Sequence, residues 1–322
     1  MIPHSKPTLL EHDIQNIVKV FSTNIISSNS ISKDFKDKLS KFLKKEYIFL
    51  YSSGTTALYE LLLSLEIQQG DDVLIPSYIC SSVKKAILKI GANPIYYDNE
   101  KNSWISSYKE IKKYLTLNTK LIILNHTFGI RYKYDEINKL KQLNIPLIED
   151  NAHFISNNKK DKNISDLFIA SFYSFNATKL LTTAEGGAIS TNDKDLAKKI
   201  EQNKLDTGMS DIHASLGISQ LERYGDFLDK RIEIANFYLS NILNTEKLDS
   251  IYFRFPMITD KVEYFLNSKK VAFRKGVDTI LKDLPNIAEV YNKTISIPIY
   301  PSLNKKELEV ILEETERILN EN

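Results

Sequence analysis

Short apolar runs alternate with segments of helical period along most of this chain, and that alternation constrains the fold more than any other feature. Residues 47–51, Tyr-Ile-Phe-Leu-Tyr, form a β-branched and aromatic run that stops at Ser52-Ser53-Gly54-Thr55, after which 57–65 carries apolar positions at helical spacing. The unit repeats as a strand over 72–76, a helix over 81–90 and a strand over 93–98, then a strand over 120–125, a helix over 135–142 and a strand over 146–150. Strands that are apolar on both sides need cover on both faces, and parallel neighbours need crossovers. The spacing therefore predicts an α/β fold with a mainly parallel central sheet flanked by helices. Two further strands are expected at 167–171 and 187–190.

Ahead of the first strand, residues 13–43 read as two helices broken at Ser27-Ser28-Asn29-Ser30. Asn192-Asp193 can cap a helix opening near Lys194, and the helical pattern continues to about residue 243. Beyond it, weak strands at 251–256 and 295–299 alternate with helices at 277–282 and 305–319, which predicts a smaller C-terminal α+β domain. The expected division is 1–229 for a large α/β domain and 230–322 for the small one.

A chain of 322 residues, 42% apolar and 26% charged, has the composition of an ordinary globular protein with room for two cores. The 43 Lys and Arg against 41 Asp and Glu leave a net charge of +2 without a basic face, so neither nucleic acid nor an anionic membrane is an expected partner. The single cysteine, Cys80, cannot form an intramolecular disulfide or a thiolate zinc site, so no metal is expected and a reducing, cytoplasmic location fits. The start, Met1-Ile2-Pro3-His4-Ser5-Lys6, lacks the plan of a signal peptide, and runs such as Leu121-Ile122-Ile123-Leu124 are too short to span a bilayer.

In an open α/β sheet ligands bind beyond the carboxyl ends of the strands, and four segments fall at such places. Ser52-Ser53-Gly54-Thr55-Thr56 offers free N–H groups at a helix start, suited to a phosphate, or is a plain capped turn; it lacks the Gly-Lys-Ser/Thr ending of a P-loop. Glu149-Asp150-Asn151-Ala152-His153 puts two carboxylates at a strand end, as a cap or as an acid facing a cationic ring nitrogen; His153 faces the same pocket or is structural. Ser174-Phe175-Asn176-Ala177-Thr178-Lys179 places a lysine after an aromatic, hydroxyl-rich loop, where desolvation would make it a nucleophile for an aldehyde; a solvated surface lysine is the alternative. Glu185-Gly186-Gly187 permits close backbone approach. A phosphate cradle, an acid and a Schiff-base lysine are together the parts that hold pyridoxal 5′-phosphate (PLP).

The ordered series Ser53-Gly54-Thr55-Thr56-Ala57-Leu58, Gly70-Asp71-Asp72-Val73 with Pro76-Ser77, Gly91-Ala92-Asn93-Pro94 and Ile148-Glu149-Asp150-Asn151-Ala152-His153 carries a resemblance. It continues through Ser174-Phe175, Thr178-Lys179 and Glu185-Gly186-Gly187-Ala188 to Ser210-Asp211-Ile212-His213-Ala214 and Gln220-Leu221-Glu222-Arg223. Over about residues 45–225, and more loosely to the C-terminus, the sequence resembles the DegT/DnrJ-type sugar aminotransferases, of the aspartate-aminotransferase-like PLP fold. The resemblance implies that Lys179 forms the Schiff base and moves the proton, and that Asp150 pairs with the pyridine nitrogen. It further implies that Gly54, Thr55 and the Ser174 hydroxyl hold the phosphate, with His153 near the phenolic oxygen. Cys80 stands where relatives place an aromatic ring over the cofactor, and Tyr78 is the nearest aromatic. The implied activity is amino transfer from an amino acid, glutamate foremost, to a keto-sugar attached to a nucleotide, by a homodimer.

The sequence departs from the family after Asn192-Asp193. An Asn-Tyr-Arg-like loop, whose Asn reaches the partner subunit's phosphate site, is shortened to the passage Asn203-Lys204-Leu205-Asp206-Thr207-Gly208-Met209. That shortening keeps two alternatives open: a PLP enzyme of another reaction type or substrate, and a non-catalytic structural or regulatory homologue. Arg254, in Tyr252-Phe253-Arg254-Phe255-Pro256, reads as a strand-edge surface residue or as a bidentate binder of a carboxylate or phosphate.

Overall fold

The computed structural model describes residues 1–27, 29–203, 208–243 and 245–321. Seven strands form one sheet: β1 (Tyr47–Tyr51), β2 (Asp72–Pro76), β3 (Asn93–Tyr97), β4 (Thr119–Asn125), β5 (Leu147–Asp150), β6 (Ala170–Ser174) and β7 (Gly187–Thr191). Their order is β1-β7-β6-β5-β4-β2-β3. Strands β2 to β6 are parallel; β7 alone is reversed, pairing antiparallel with both β6 and β1, so β1 runs with the rest. This is the α/β architecture with a mainly parallel central sheet that the alternating pattern predicts.

Side-chain alternation sorts each strand between two cores. Ile75, Ile123 and Ile148 face the helix Gly54–Ser64 through Leu58 and Leu61, whereas their neighbours Leu74, Ile122 and Leu147 pack on Ile137 and Leu140 of the helix Tyr134–Lys141. Each fully buried aliphatic side chain contributes about 1.5–3 kcal/mol, so the sheet is clamped from both sides. A third cluster seats the helix Ser30–Leu43 by Phe35 and Leu39 against Tyr173 and Phe175.

The smaller C-terminal part pairs β8 (Phe255–Ile258) antiparallel with β9 (Thr294–Ile297) and covers them with the helix Lys305–Asn320. The helix Tyr224–Asn241 serves both parts: Tyr224 and Phe227 sit in a large-domain cluster, Ile234, Ala235 and Tyr238 in the small-domain one. The expected division at 229/230 falls inside this helix, and Ile2 bridges to Val271, which fastens the N-terminal segment to the small part.

Three expectations are corrected. No helix forms over 277–282, because the backbone there is spent on a tertiary contact: Leu281 N–H donates to Ser77 O at 3.0 Å and Lys282 N–H to Ser77 Oγ at 2.9 Å. The helix lies at Pro285–Lys293, with proline in its first turn. Strand β6 starts at Ala170 rather than 167, since Leu167 N–H still bonds to Ile164 O at the end of the helix Lys159–Ser165. Strand β8 starts at Phe255 rather than 251, because Ile251 N–H is taken by Gly129 O and Tyr252 adopts a left-handed conformation, φ 52°. Among the described residues no helix is long and apolar enough to cross a membrane.

Candidate active site

The register brings the carboxyl ends of β4, β5 and β6 level. Asn125 lies beside Asp150, Asp150 beside Phe172, and Ser174 beside Gly187, which also faces Tyr51 at the end of β1. The loops leaving these ends therefore meet on one edge of the sheet. One cavity of about 350 Å³ there is lined by Gly54, Thr55, Cys80, Asp150, Ser174 and Lys179, and an adjoining one by Tyr78 and His153 together with Cys80, Asp150 and Lys179. All eight residues singled out from the sequence line one or other of these joined cavities.

At the first loop, Ser53 caps the helix Gly54–Ser64: its Oγ accepts the Thr56 N–H at 3.1 Å, and its carbonyl accepts the Ala57 N–H at 3.0 Å. The N–H groups of Gly54 and Thr55 are left without acceptors among the described residues, as an anion site at a helix start requires. Glycine is obligatory here by space. A Cβ on Gly54 would lie 2.9 Å from Ser174 Cβ, and one on Gly187 would lie 2.4 Å from the Ser53 carbonyl. The chain thus draws two backbones and a serine together at the free N–H groups of the helix start.

Adjacent residues of β5 point to opposite sides of the sheet and meet different fates. Glu149 is saturated: its Oε1 lies 3.0 Å from His126 Nε2, and its Oε2 accepts from Asn151 Nδ2 at 2.7 Å and from the hydroxyls of Ser171 at 2.7 Å and Ser165 at 3.1 Å. Burial raises its ionisation, but the hydrogen bond and charge of His126, then Ser171, outweigh it and hold the carboxyl below its ordinary range. His126 Nδ1 lies 3.0 Å from the Ile130 carbonyl, so an oxygen stands at hydrogen-bond distance from each ring nitrogen. Asp150, by contrast, accepts one hydrogen bond, from Ala152 N–H at 2.9 Å, and burial pushes its ionisation up to about 6 against the pull of Lys179. Among the described residues no cation forms an ion pair with this buried acid, and a protonated ring nitrogen would complete it.

Lys179 is half-buried, and burial pushes its amine down to about 8, with Asp150 opposing and the Arg254 guanidinium adding to the depression. A lysine so placed supplies the unprotonated amine that attacks an aldehyde near neutral pH. Its Nζ lies 5.4 Å from the centroid of Phe253. The same ring stacks on His153, with centroids 4.1 Å apart and planes 17° apart, and burial lowers the His153 ionisation well below its usual value. Tyr78 is fully buried: its hydroxyl donates to the Lys275 carbonyl and its ring meets Phe128 and Tyr291 edge-on, which ties this loop to the small domain. Cys80 is exposed and accepts from Ser82 Oγ at 3.1 Å.

Three contributors escape a reading of the sequence: His126, Phe253 and, as a buried residue, Arg254. The expectation of a surface Arg254 is corrected, because it is 8% exposed and stacks on Phe253, its Cζ 4.2 Å from the ring centroid. The position of His126 at the carboxyl end of β4 is the one sequence signal that marks it. The shortened segment can be followed only in part: Gly208 leads through Met209 to Ser210, whose Oγ accepts the His213 N–H at 3.4 Å, while residues 204–207 lie outside the described residues. The free N–H pair, the glycine-lined cradle and the unpaired buried acid opposite a depressed lysine fit PLP.

Comparison with known proteins agrees with this chemistry. The chain is 28% identical to the GDP-perosamine synthase of Escherichia coli O157:H7 over 353 residues, covering 97% of each chain. It is 29% identical to the UDP-4-amino-4-deoxy-L-arabinose–oxoglutarate aminotransferase of Shewanella sediminis over 264 residues, covering 74% of this chain and 68% of that one. The PLP form of Spr1654 from Streptococcus pneumoniae superposes with a TM-score of 0.87 at 21% identity, over 99% of this chain and 100% of that one, and shares the fold. The family model of the DegT/DnrJ/EryC1/StrS aminotransferases matches residues 7–254, and the protein belongs to that PLP-dependent aminotransferase family.

Proposed function

We propose that the protein transfers an amino group from glutamate to a keto-sugar carried on a nucleotide, in two half-reactions at one site. The observation that carries the reading is the convergence of Asp150, Lys179 and the Gly54–Thr55–Ser174 cradle on one cavity. When bound, PLP supplies an aldehyde for amines and an electron-withdrawing ring. The free N–H groups of Gly54 and Thr55, with the Ser174 hydroxyl, hold its phosphate. Asp150 keeps a proton on the ring nitrogen. Lys179 Nζ is the attacking amine and, once displaced, the base that moves the proton of the amine carbon. The relatives named for GDP- and UDP-linked sugars and for oxoglutarate support the nucleotide and the donor.

A homodimer is supported by the helix Glu11–Ser22, which leaves Ile14, Val18 and Phe21 more than half exposed on one stripe, with Leu10 just before it. A cytoplasmic setting is supported by the unpaired Cys80. The test is a visible absorption scan of the protein with PLP before and after glutamate. A cofactor band that glutamate bleaches, with release of oxoglutarate and loss of both effects in Lys179→Ala, is expected. Full turnover by Lys179→Ala would remove the proposal.

A further inference from the structure

The cavity beside Tyr78 and His153 draws only two of its lining residues from the small domain, Gly276 and Val277, and they share it with Lys179 and Asp150. It is narrow, about 40 Å³, against about 350 Å³ for the neighbouring cavity that contains the phosphate cradle. One water needs about 10–15 Å³ of such space, so a group of very few atoms fills it. Much of its surface is carbon, from Ile79, Phe128, Val277 and the Tyr78 ring. Its amide is engaged as well: Asn125 Nδ2 donates to Tyr78 O at 3.1 Å and to Thr127 Oγ1 at 3.0 Å. A group that enters is therefore judged mainly by its size.

Val277 is held from both sides. The Lys275 carbonyl accepts from the Tyr78 hydroxyl, and the Asp278 carbonyl accepts from the Tyr291 hydroxyl. Between them Gly276, at φ +97°, is pressed against the aromatic floor: a Cβ there would lie 2.6 and 2.7 Å from ring carbons of Phe128 and 2.9 Å from the Tyr78 hydroxyl. A wall pinned this closely on either side of one side chain discriminates by size, because close-packed groups do not yield.

A substrate that takes the place of Lys179 on the cofactor brings its reacting carbon to the end of that lysine, and Lys179 lines both cavities. The larger cavity contains the cradle and is taken up by the phosphate arm of the bound cofactor. A group carried beside the reacting carbon therefore has the narrow cavity to enter. We infer that Val277 is a specificity-determining residue: its side chain sets the largest group that a substrate can carry next to its reacting carbon on the small-domain side. This rests on the reading of the joined cavities as the site of amino transfer.

The test uses two amines that react with the cofactor of the PLP-loaded protein whatever its natural substrates, methoxyamine and the bulkier O-benzylhydroxylamine. The nitrogen of either forms the C=N bond to the cofactor's aldehyde carbon as the bond to Lys179 breaks, and the lysine leaves as a free amine. Stopped-flow absorbance at the cofactor band gives both rates. Val277→Ala should raise the ratio of the benzyl to the methyl rate by about 10- to 200-fold, the usual worth of a misfit of methyl size in an apolar pocket. Val277→Phe should lower the ratio; if that variant does not fold, the alanine variant decides alone. A ratio unchanged by Val277→Ala, or both rates rising equally, overturns the inference. A ratio that follows Val277 in a protein whose band glutamate does not bleach leaves the inference standing and removes the glutamate reading alone. Bleaching by glutamate with a ratio blind to Val277 does the reverse.

Discussion

Replacing Lys179 by methionine should make the cofactor-free protein more stable. The amine ordinarily ionises at 10.5 and is pushed down to about 8 here, mainly by burial, so the folded protein disfavours its charged form. The gap is about 2.5 pH decades at about 1.4 kcal/mol each, so the penalty at pH 7 is of the order of 3 kcal/mol. Methionine has similar length and no charge, and escapes it; Asp150 then loses a cationic neighbour, which trims the gain. Between about 8 and 10.5 the unfolded chain holds a proton at this lysine that the folded chain has released. Wild-type stability therefore rises across that window by about 1.4 kcal/mol per pH unit, and the variant lacks the rise. For 322 residues, an unfolding entropy of about 2.1 cal/mol/K per residue makes 1 kcal/mol worth about 1.5 °C. Melting curves of both proteins from pH 6.5 to 10 should show Lys179→Met about 4 °C higher at pH 7, the difference closing toward pH 10. Equal melting temperatures at pH 7, or parallel pH profiles, would refute the argument that the lysine is held against its preferred charge.

Glu149→Gln should destabilise the fold by about 2 kcal/mol, since the neutral amide cannot replace the charged acceptor that the buried groups of His126, Asn151, Ser171 and Ser165 meet. Because the Glu149 carboxyl is held below its ordinary range, its contribution is complete above the unfolded value and fades as pH falls through the folded one; denaturation at pH 7 and at pH 3 should show the wild-type advantage shrinking at the lower pH. Asp150→Asn should keep the PLP band and lower turnover by about 10²- to 10³-fold, the usual cost of one aligned electrostatic group, as stopped-flow absorbance would report. Simultaneous change of Leu10, Ile14 and Val18 to serine should convert a dimer to a monomer in sedimentation velocity; an unchanged mass would place the interface elsewhere.

The sheet is legible in the sequence because buried parallel strands must be apolar on both sides, and 47–51, 72–76 and 147–150 are read nearly residue for residue. The cradle and the acid-lysine pair are legible because each sits at a strand end, where the fold itself directs ligands. What escaped is tertiary. The 277–282 segment carries a helical pattern whose backbone is claimed by Ser77, a contact across more than 200 positions that no local pattern records. His126 and Glu149 find each other across adjacent strands, so neither looks special alone. Arg254 resembles a strand-edge residue until Arg231, one helix away, is seen to fix the backbone before it.

The helix Tyr224–Asn241 carries the chain from one core into the other without a break. A flexible tether would let the two parts melt separately, but a continuous rod cannot lose its far half while its near half stays packed without fraying in the middle. Heat should therefore be absorbed in one peak, with the calorimetric enthalpy equal to the van't Hoff value, and neither part should survive as an isolated fragment cut at residue 230. The strut makes one cooperative unit of a molecule whose two cores would otherwise count as two.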